Sequence, residues 1–330
     1  MIKLRFLYLL LIPVIMFVAG CSKDEDPPVT PPVTPTAESQ LLIEHLEGTG
    51  GDFINSNNCP AMMTAEALYT DMQAGTDIAI IDVRSATDYA AGHITNSVNV
   101  TIANILNYYR TNNLQNKVKV VVTCYTGQSA AFAVAVLRLA GYTNVFDLKW
   151  GMCSWAYPDR WNNAKTEGST NPITKQMTAN SKNAAGNLPT LSTGKTTGAE
   201  ILATRLDTVL AQGYGVASIS RTTLYSNLSN YYIINYWPVA EYDQGHIEGA
   251  IQYTPKSDLK LAAFLKTLPT NKTIVVYCYT GQTSSHIVVF LRALGYDAKS
   301  LSFGANNLFY DTMPGSKWND SECKNYPVVQ

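Results

Sequence analysis

Two stretches of the chain share one rhythm of apolar and polar positions. A short β-branched run leads into a tight polar turn, and the turn leads into a long apolar run that stops at glycine. Val118–Thr123 and Thr273–Tyr277 are too short for helices and lack polar alternation, so each predicts a strand buried on both faces of a parallel sheet. Ser129–Ala140 and Thr283–Leu294 are apolar, precede Gly141 and Gly295, and predict helices with glycine stops. The turns between them are identical, Cys124-Tyr125-Thr126-Gly127-Gln128 and Cys278-Tyr279-Thr280-Gly281-Gln282. Each places a cysteine at the carboxyl end of a strand, facing a helix N-terminus, where loop amides and the helix dipole favour a thiolate.

The repetition extends along most of the chain. Asp88-Tyr89-Ala90-Ala91-Gly92-His93-Ile94 aligns with Glu241-Tyr242-Asp243-Gln244-Gly245-His246-Ile247, and Leu137–Tyr142 aligns with Leu291–Tyr296. Ala37-Glu38 and Ala199-Glu200 each open a helical stretch, and Trp161-Asn162 matches Trp318-Asn319. The period far exceeds the roughly 20–50 residues of solenoid repeats, so the reading is a tandem domain. Within each copy the predicted order is a strand (Ile78–Val83; Tyr232–Asn235), the Gly-His-Ile turn, a helix, the strand before the cysteine, the helix after it, and a last strand (Val145–Leu148; Ala298–Leu301). Such alternation predicts an α/β fold with a mostly parallel sheet, whose ligands sit at strand carboxyl ends. Thr166–Thr197 is rich in Thr, Asn, Ser, Gly and Lys and reads as a linker that wraps one domain.

Composition fits this organisation: 330 residues suffice for two domains, and 46% hydrophobic with 15% charged residues describes folded material. A net charge of −1 gives no basic footprint for a nucleic-acid partner. The cysteines at 21, 59, 124, 153, 278 and 323 form no CxxC pair or Cys/His cluster, so neither a zinc site nor another cofactor is expected. The disulfide states of Cys59, Cys153 and Cys323 stay open. At the N-terminus, Lys3 and Arg5 precede the apolar run Phe6–Ala19, a targeting pattern outside the fold.

Val18-Ala19-Gly20-Cys21 resembles the bacterial lipobox, which implies lipidation of Cys21 and a membrane anchor. The acidic Lys23-Asp24-Glu25-Asp26 that follows resembles the surface-export signal of Bacteroidetes lipoproteins. The expected location is therefore the bacterial cell envelope, at the outer membrane, with periplasmic or surface orientation left open.

Both halves resemble rhodanese domains. The first carries Asp82-Val83-Arg84, Asp88-Tyr89, Gly92-His93-Ile94, Cys124-x-x-Gly127-x-Ser129, then Gly151 and Trp155. The second carries Glu241-Tyr242, Gly245–Ala250, Cys278-x-x-Gly281-x-Thr283 and Gly304. The resulting organisation is a signal peptide (1–21), a Pro/Thr-rich stalk (22–38), rhodanese-like domain 1 (39–165), a linker (166–197) and rhodanese-like domain 2 (198–330).

The resemblance implies a sulfurtransferase that carries sulfane sulfur as a cysteine persulfide from a donor such as thiosulfate to a thiophilic acceptor. It assigns catalysis to Cys124 and Cys278, and persulfide binding to Tyr125, Thr126, Gly127, Gln128 and Ser129 with Tyr279, Thr280, Gly281, Gln282 and Thr283. For the hydroxyls of Thr126, Thr280, Ser129 and Thr283, helix capping competes with substrate contact and is preferred. Asp82, Arg84, His93 and His246 read as structural support. Related phosphatases use a loop one residue longer that ends in arginine; Ala130 and Ser284 stand there, so phosphatase chemistry is not expected. Neither loop contains Lys or Arg, which leaves thiosulfate a default donor.

Two other functions stay open: a non-catalytic binding module, and thiol–disulfide chemistry with Cys153 as a resolving partner. The second copy replaces Asp82-Val83-Arg84 by Asn235-Tyr236-Trp237 and Trp155 by Leu308. The first thiol is thus expected in the more pre-organised pocket, although two-domain relatives usually keep the second cysteine.

Overall fold

The computed structural model describes residues 37–330; the targeting run, Cys21 and all of the stalk but its last two residues lie outside them. The first repeat contains β1 (Met62–Met63), β2 (Ile78–Asp82), β3 (Ser97–Asn99), β4 (Lys119–Thr123) and β5 (Val145–Leu148), in the sheet order β1-β5-β4-β2-β3. Its helices are α1 (Glu38–Glu47), α2 (Ala65–Gln73), α3 (Ala86–Ala91), α4 (Ile105–Thr111), α5 (Gln128–Leu139), α6 (Met152–Trp155) and α7 (Asp159–Thr170). The second repeat contains β6 (Ser218–Ile219), β7 (Tyr231–Asn235), β8 (Ile251–Gln252), β9 (Thr273–Tyr277) and β10 (Ala298–Leu301), ordered β6-β10-β9-β7-β8. Around it lie α8 (Gly198–Val216), α9 (Arg221–Ser226), α10 (Val239–Tyr242) and α11 (Gln282–Ala293). Every pairing between these strands is parallel, so the chain is two α/β units of the same topology.

Strand alternation builds three layers of core. Val120 and Val122 of β4 point to one face while Val121 points to the other, and Ile274, Val276 and Val275 of β9 do the same. The outer faces pack separately, on Leu68, Leu148 and Trp155 in the first repeat and on Leu224, Trp237 and Leu301 in the second. The inner faces meet in one cluster that runs from Leu42 through Val120 and Phe132 to Ile201, Ile274 and Ile287. The two repeats therefore share a core. It explains why α5 is apolar all round: it is buried between both sheets and lies against α11.

The second repeat departs from the predicted element order after its Gly-His-Ile turn. Where the first has α4, the second winds through turns and a short 3₁₀ segment, Leu265–Thr267. Pro255 and the left-handed Lys256, with φ 63°, break the helical path there.

Each repeat finishes on its neighbour. The predicted linker is helical as far as Thr170, because α7 continues that far. Beyond it, the chain lies along the second repeat: Ile173 N donates to Leu308 O (2.8 Å), Gln176 and His246 exchange backbone hydrogen bonds, and Lys182 pairs with Asp258 at 3.0 Å. The last residues, read as part of domain 2, cross back to the first repeat. There Tyr326 N donates to Trp155 O (2.8 Å), and Val329 exchanges hydrogen bonds with His93. His93 and His246 occupy equivalent places, so the two tails are swapped symmetrically.

Candidate active site

Cys124 follows β4 directly, and its loop turns into α5 at Gly127, whose φ of 83° is left-handed. The amide of Ala130 lies 3.4 Å from Sγ, and the amides of Thr126 and Gly127 and the Ser129 hydroxyl also face the sulfur. The far wall is the turn after β5. Met152 N donates to Cys124 O (2.7 Å) and Cys153 N to Tyr125 O (3.0 Å). Between these bonds sits Gly151, at φ 61°, where a Cβ would collide with the Cys124 carbonyl and fall 2.7 Å from Thr126 N. The result is a cradle of backbone N–H groups at a helix start, suited to hold negative charge on sulfur.

Burial nevertheless dominates the resting thiol. It pushes the Cys124 pKa above the ordinary thiol value, with the Ser129 hydroxyl and the amides of Ala130, Thr126 and Gly127 pulling the other way. The expected net stabilisation of the thiolate is therefore corrected: the cradle offsets desolvation only in part. Capping by hydroxyls is corrected too. The N-caps are Gly127 and Gly281, neither with a side-chain cap; Ser129 turns to sulfur, Thr126 Oγ1 accepts from Gln128 Nε2 (3.0 Å), and only Thr280 Oγ1 receives a first-turn amide, that of Gln282 (3.1 Å). Thr283 is half-buried.

A cavity of about 350 Å³ opens on Cys124, lined by both repeats: Arg84, Tyr125 and Arg160 from the first, Tyr214, Ser302 and Phe303 from the second. Positive charge, absent from the loop itself, arrives here from elsewhere. Arg84 is buried and clamped to Asp82 (Nη2–Oδ2 2.6 Å), and Nη2 also donates to Gly92 O at 2.8 Å. Burial opposes its charge, but the Asp82 hydrogen bonds and charge outweigh that and raise its pKa. Arg160, at the start of α7, is exposed, and its guanidinium carbon lies 3.7 Å from the centroid of Tyr125. The Tyr125 hydroxyl donates to Asp88 (2.8 Å), which fixes the ring between cavity and cations. Arg160 escapes a sequence reading centred on the loop because it lies beyond Trp155, on a helix whose start only Pro158-Asp159 signals.

The second cysteine has the same frame and different walls. Gly281 N and Ser284 N lie 3.2 and 3.3 Å from Cys278 Sγ, and Ser284 Oγ lies 2.7 Å from Ser300 Oγ. Asn235 and Trp237 stand where Asp82 and Arg84 stand in the first repeat. Asn235 Nδ2 donates to the Tyr277 hydroxyl (2.6 Å), and Trp237 stacks on Tyr279 with centroids 4.9 Å apart. An ion pair beside one loop is thus an aromatic stack beside the other.

His93 and His246 lie away from both sulfurs. Each stacks on the tyrosine four residues earlier, at 3.8 and 3.7 Å, and its Nδ1 donates to that residue's carbonyl at 3.0 and 3.1 Å. Burial lowers the His246 pKa. Cys153 is packed among Trp150, Trp161 and Trp318; burial pushes its thiol up to about 12, which disfavours a resolving role. Cys59, Cys124, Cys153, Cys278 and Cys323 are all unbridged.

The family model described as "Rhodanese-like domain" matches residues 64–157 and 221–308. The chain is 37% identical over 81 residues to the thiosulfate sulfurtransferase GlpE of Pseudomonas fluorescens (strain SBW25), a match covering 24% of this chain and 72% of that protein. It is 30% identical over 77 residues to the adenylyltransferase and sulfurtransferase uba4 of Ogataea parapolymorpha, covering 23% of this chain and 20% of that one. Among solved structures, a rhodanese-related protein from Thermoplasma volcanium aligns with 26% identity and a TM-score of 0.26, over 30% of this chain and 91% of that one.

Proposed function

The chain belongs to the rhodanese-like domain family, and from that membership we propose that it is a sulfurtransferase working through a persulfide on Cys124. The observation that carries this reading is the amide cradle around Cys124 at the floor of a cavity flanked by Arg84 and Arg160. The arginines suit an anionic donor such as thiosulfate. The Cys124 thiolate attacks the outer sulfur; a new S–S bond forms, the donor's own S–S bond breaks, and sulfite leaves with the electron pair. The terminal sulfur of Cys124–S–S⁻ then sits among the amides of Thr126, Gly127 and Ala130, which replace the hydration it has lost. A thiophilic acceptor, cyanide or a thiolate, attacks that sulfur and departs with it, and the cysteine sulfur regains its electron pair.

Cys278 shares the amides but not the arginines, so it is the slower site for an anionic donor. The test is intact mass after thiosulfate, on wild type, Cys124→Ser and Cys278→Ser that have been reduced and then freed of reductant. One added sulfur atom on wild type and Cys278→Ser, with slow or absent loading of Cys124→Ser, is the expected result. A wild type left unmodified by thiosulfate, mercaptopyruvate and polysulfide would point instead to a binding module. Loading confined to Cys278 would reverse the order of the sites.

The proposal extends to location. The lipobox-like Val18-Ala19-Gly20-Cys21 supports attachment to the bacterial envelope through a lipid on Cys21. Radiolabelled palmitate is expected on wild type and absent from Cys21→Ser; equal labelling of both would exclude this anchor.

A further inference from the structure

Trp150 and Phe303 precede the glycines that wall the two cysteine loops, and both have left-handed backbones, with φ 65° and 61°. A bulky residue is strained there and must be held by its surroundings. The holder in each case is the glutamine of the opposite loop: Trp150 N donates to Gln282 Oε1 (3.0 Å), and Phe303 N to Gln128 Oε1 (2.8 Å). The other ends of the two amides differ. Gln128 Nε2 stays in its own loop on Thr126, whereas Gln282 Nε2 crosses the interface to Asp147 Oδ2 (2.7 Å).

Asp147 is fully buried on β5, and His286 Nε2, one turn along α11 from Gln282, lies 3.2 Å from its other oxygen. One oxygen of this first-repeat carboxylate is therefore hydrogen-bonded by a side chain of the second repeat, while the other faces His286 with no hydrogen bond of its own among the described residues. Gln282 also occupies the space over Gly127, where a Cβ would collide with its amide. A single side chain thus touches both walls of the slot that holds Cys124: the loop at Gly127 and the turn at Trp150-Gly151.

We infer that Gln282 is a positioning residue for the Cys124 cradle, so that the reactivity of the first cysteine depends on a side chain of the second repeat. Its meaning for turnover rests on the sulfur-transfer reading; its test does not. On a Cys278→Ser background, the pH profile of Cys124 alkylation by iodoacetamide is followed by peptide mass, beside loading from thiosulfate and thermal melting. Gln282→Met keeps the length and removes the hydrogen bonds to Trp150, Asp147 and Leu148. The alkylation profile is expected to move to higher pH, with the rate at neutral pH reduced about tenfold, the scale of one or two buried hydrogen bonds.

Gln282→Glu keeps the acceptor for Trp150 N but sets a carboxylate against Asp147, so it gives the same direction of shift and serves if the methionine variant does not fold. A folded variant with a parental alkylation profile overturns the inference. If the profile shifts while even the parent takes no sulfur from any donor, positioning stands and the sulfur-transfer reading fails.

Discussion

Arg160 is the residue on which donor choice turns. Arg84 is committed to Asp82 and Gly92, so its charge is largely spent within the protein, while Arg160 lies at the cavity mouth with no salt bridge among the described residues. Arg160→Ala is expected to raise KM for thiosulfate about tenfold with kcat little changed, the mark of lost uniform binding. An unchanged KM in steady-state kinetics would remove Arg160 from donor recognition. Inside the repeated loops, Cys124, Gly127, Cys278 and Gly281 announce themselves in the sequence by identity and by turn chemistry, and Asp82 and Arg84 do so by their place at the end of β2. Arg160, Asp147 and Tyr214 do not, because their place in the site is set by packing between repeats, and nothing local in the chain encodes that.

At the scale of elements, the β-branched runs at 118–123 and 273–277 and the apolar runs after the loops carried the fold. Each matches a strand or helix within a residue or so, because propensity, periodicity and burial agree there. Edge strands β1, β3, β6 and β8 are only two or three residues long and leave no periodic signal. The short turn after β5 shows its glycine in the sequence but not its work, which is to clamp the cysteine loop. Gly151→Ala tests that work. A Cβ at φ 61° against three backbone atoms is expected to cost on the order of 3 kcal/mol, seen as a lowered midpoint in urea, and to slow Cys124 loading as well. A variant as stable as wild type would mean that the turn moves aside freely.

The whole molecule is a fusion of two like units around one core, with the tails exchanged. Linker residues 171–186 dress the second repeat, and residues 324–329 dress the first, at equivalent histidines. Cutting the chain after Lys195, in an exposed stretch, leaves each fragment with the segment that belongs on the other. Co-expressed fragments 37–195 and 196–330 are expected to copurify as a one-to-one pair. Two separately folded monomers on size-exclusion chromatography would contradict the shared core.

That exchange has a consequence for dilution. Two free chains that cap one another come apart as their concentration falls, and a thiol site built from both would vanish with them. Here a peptide link holds the partners at a fixed local concentration, so the cavity over Cys124 stays assembled however few molecules surround it.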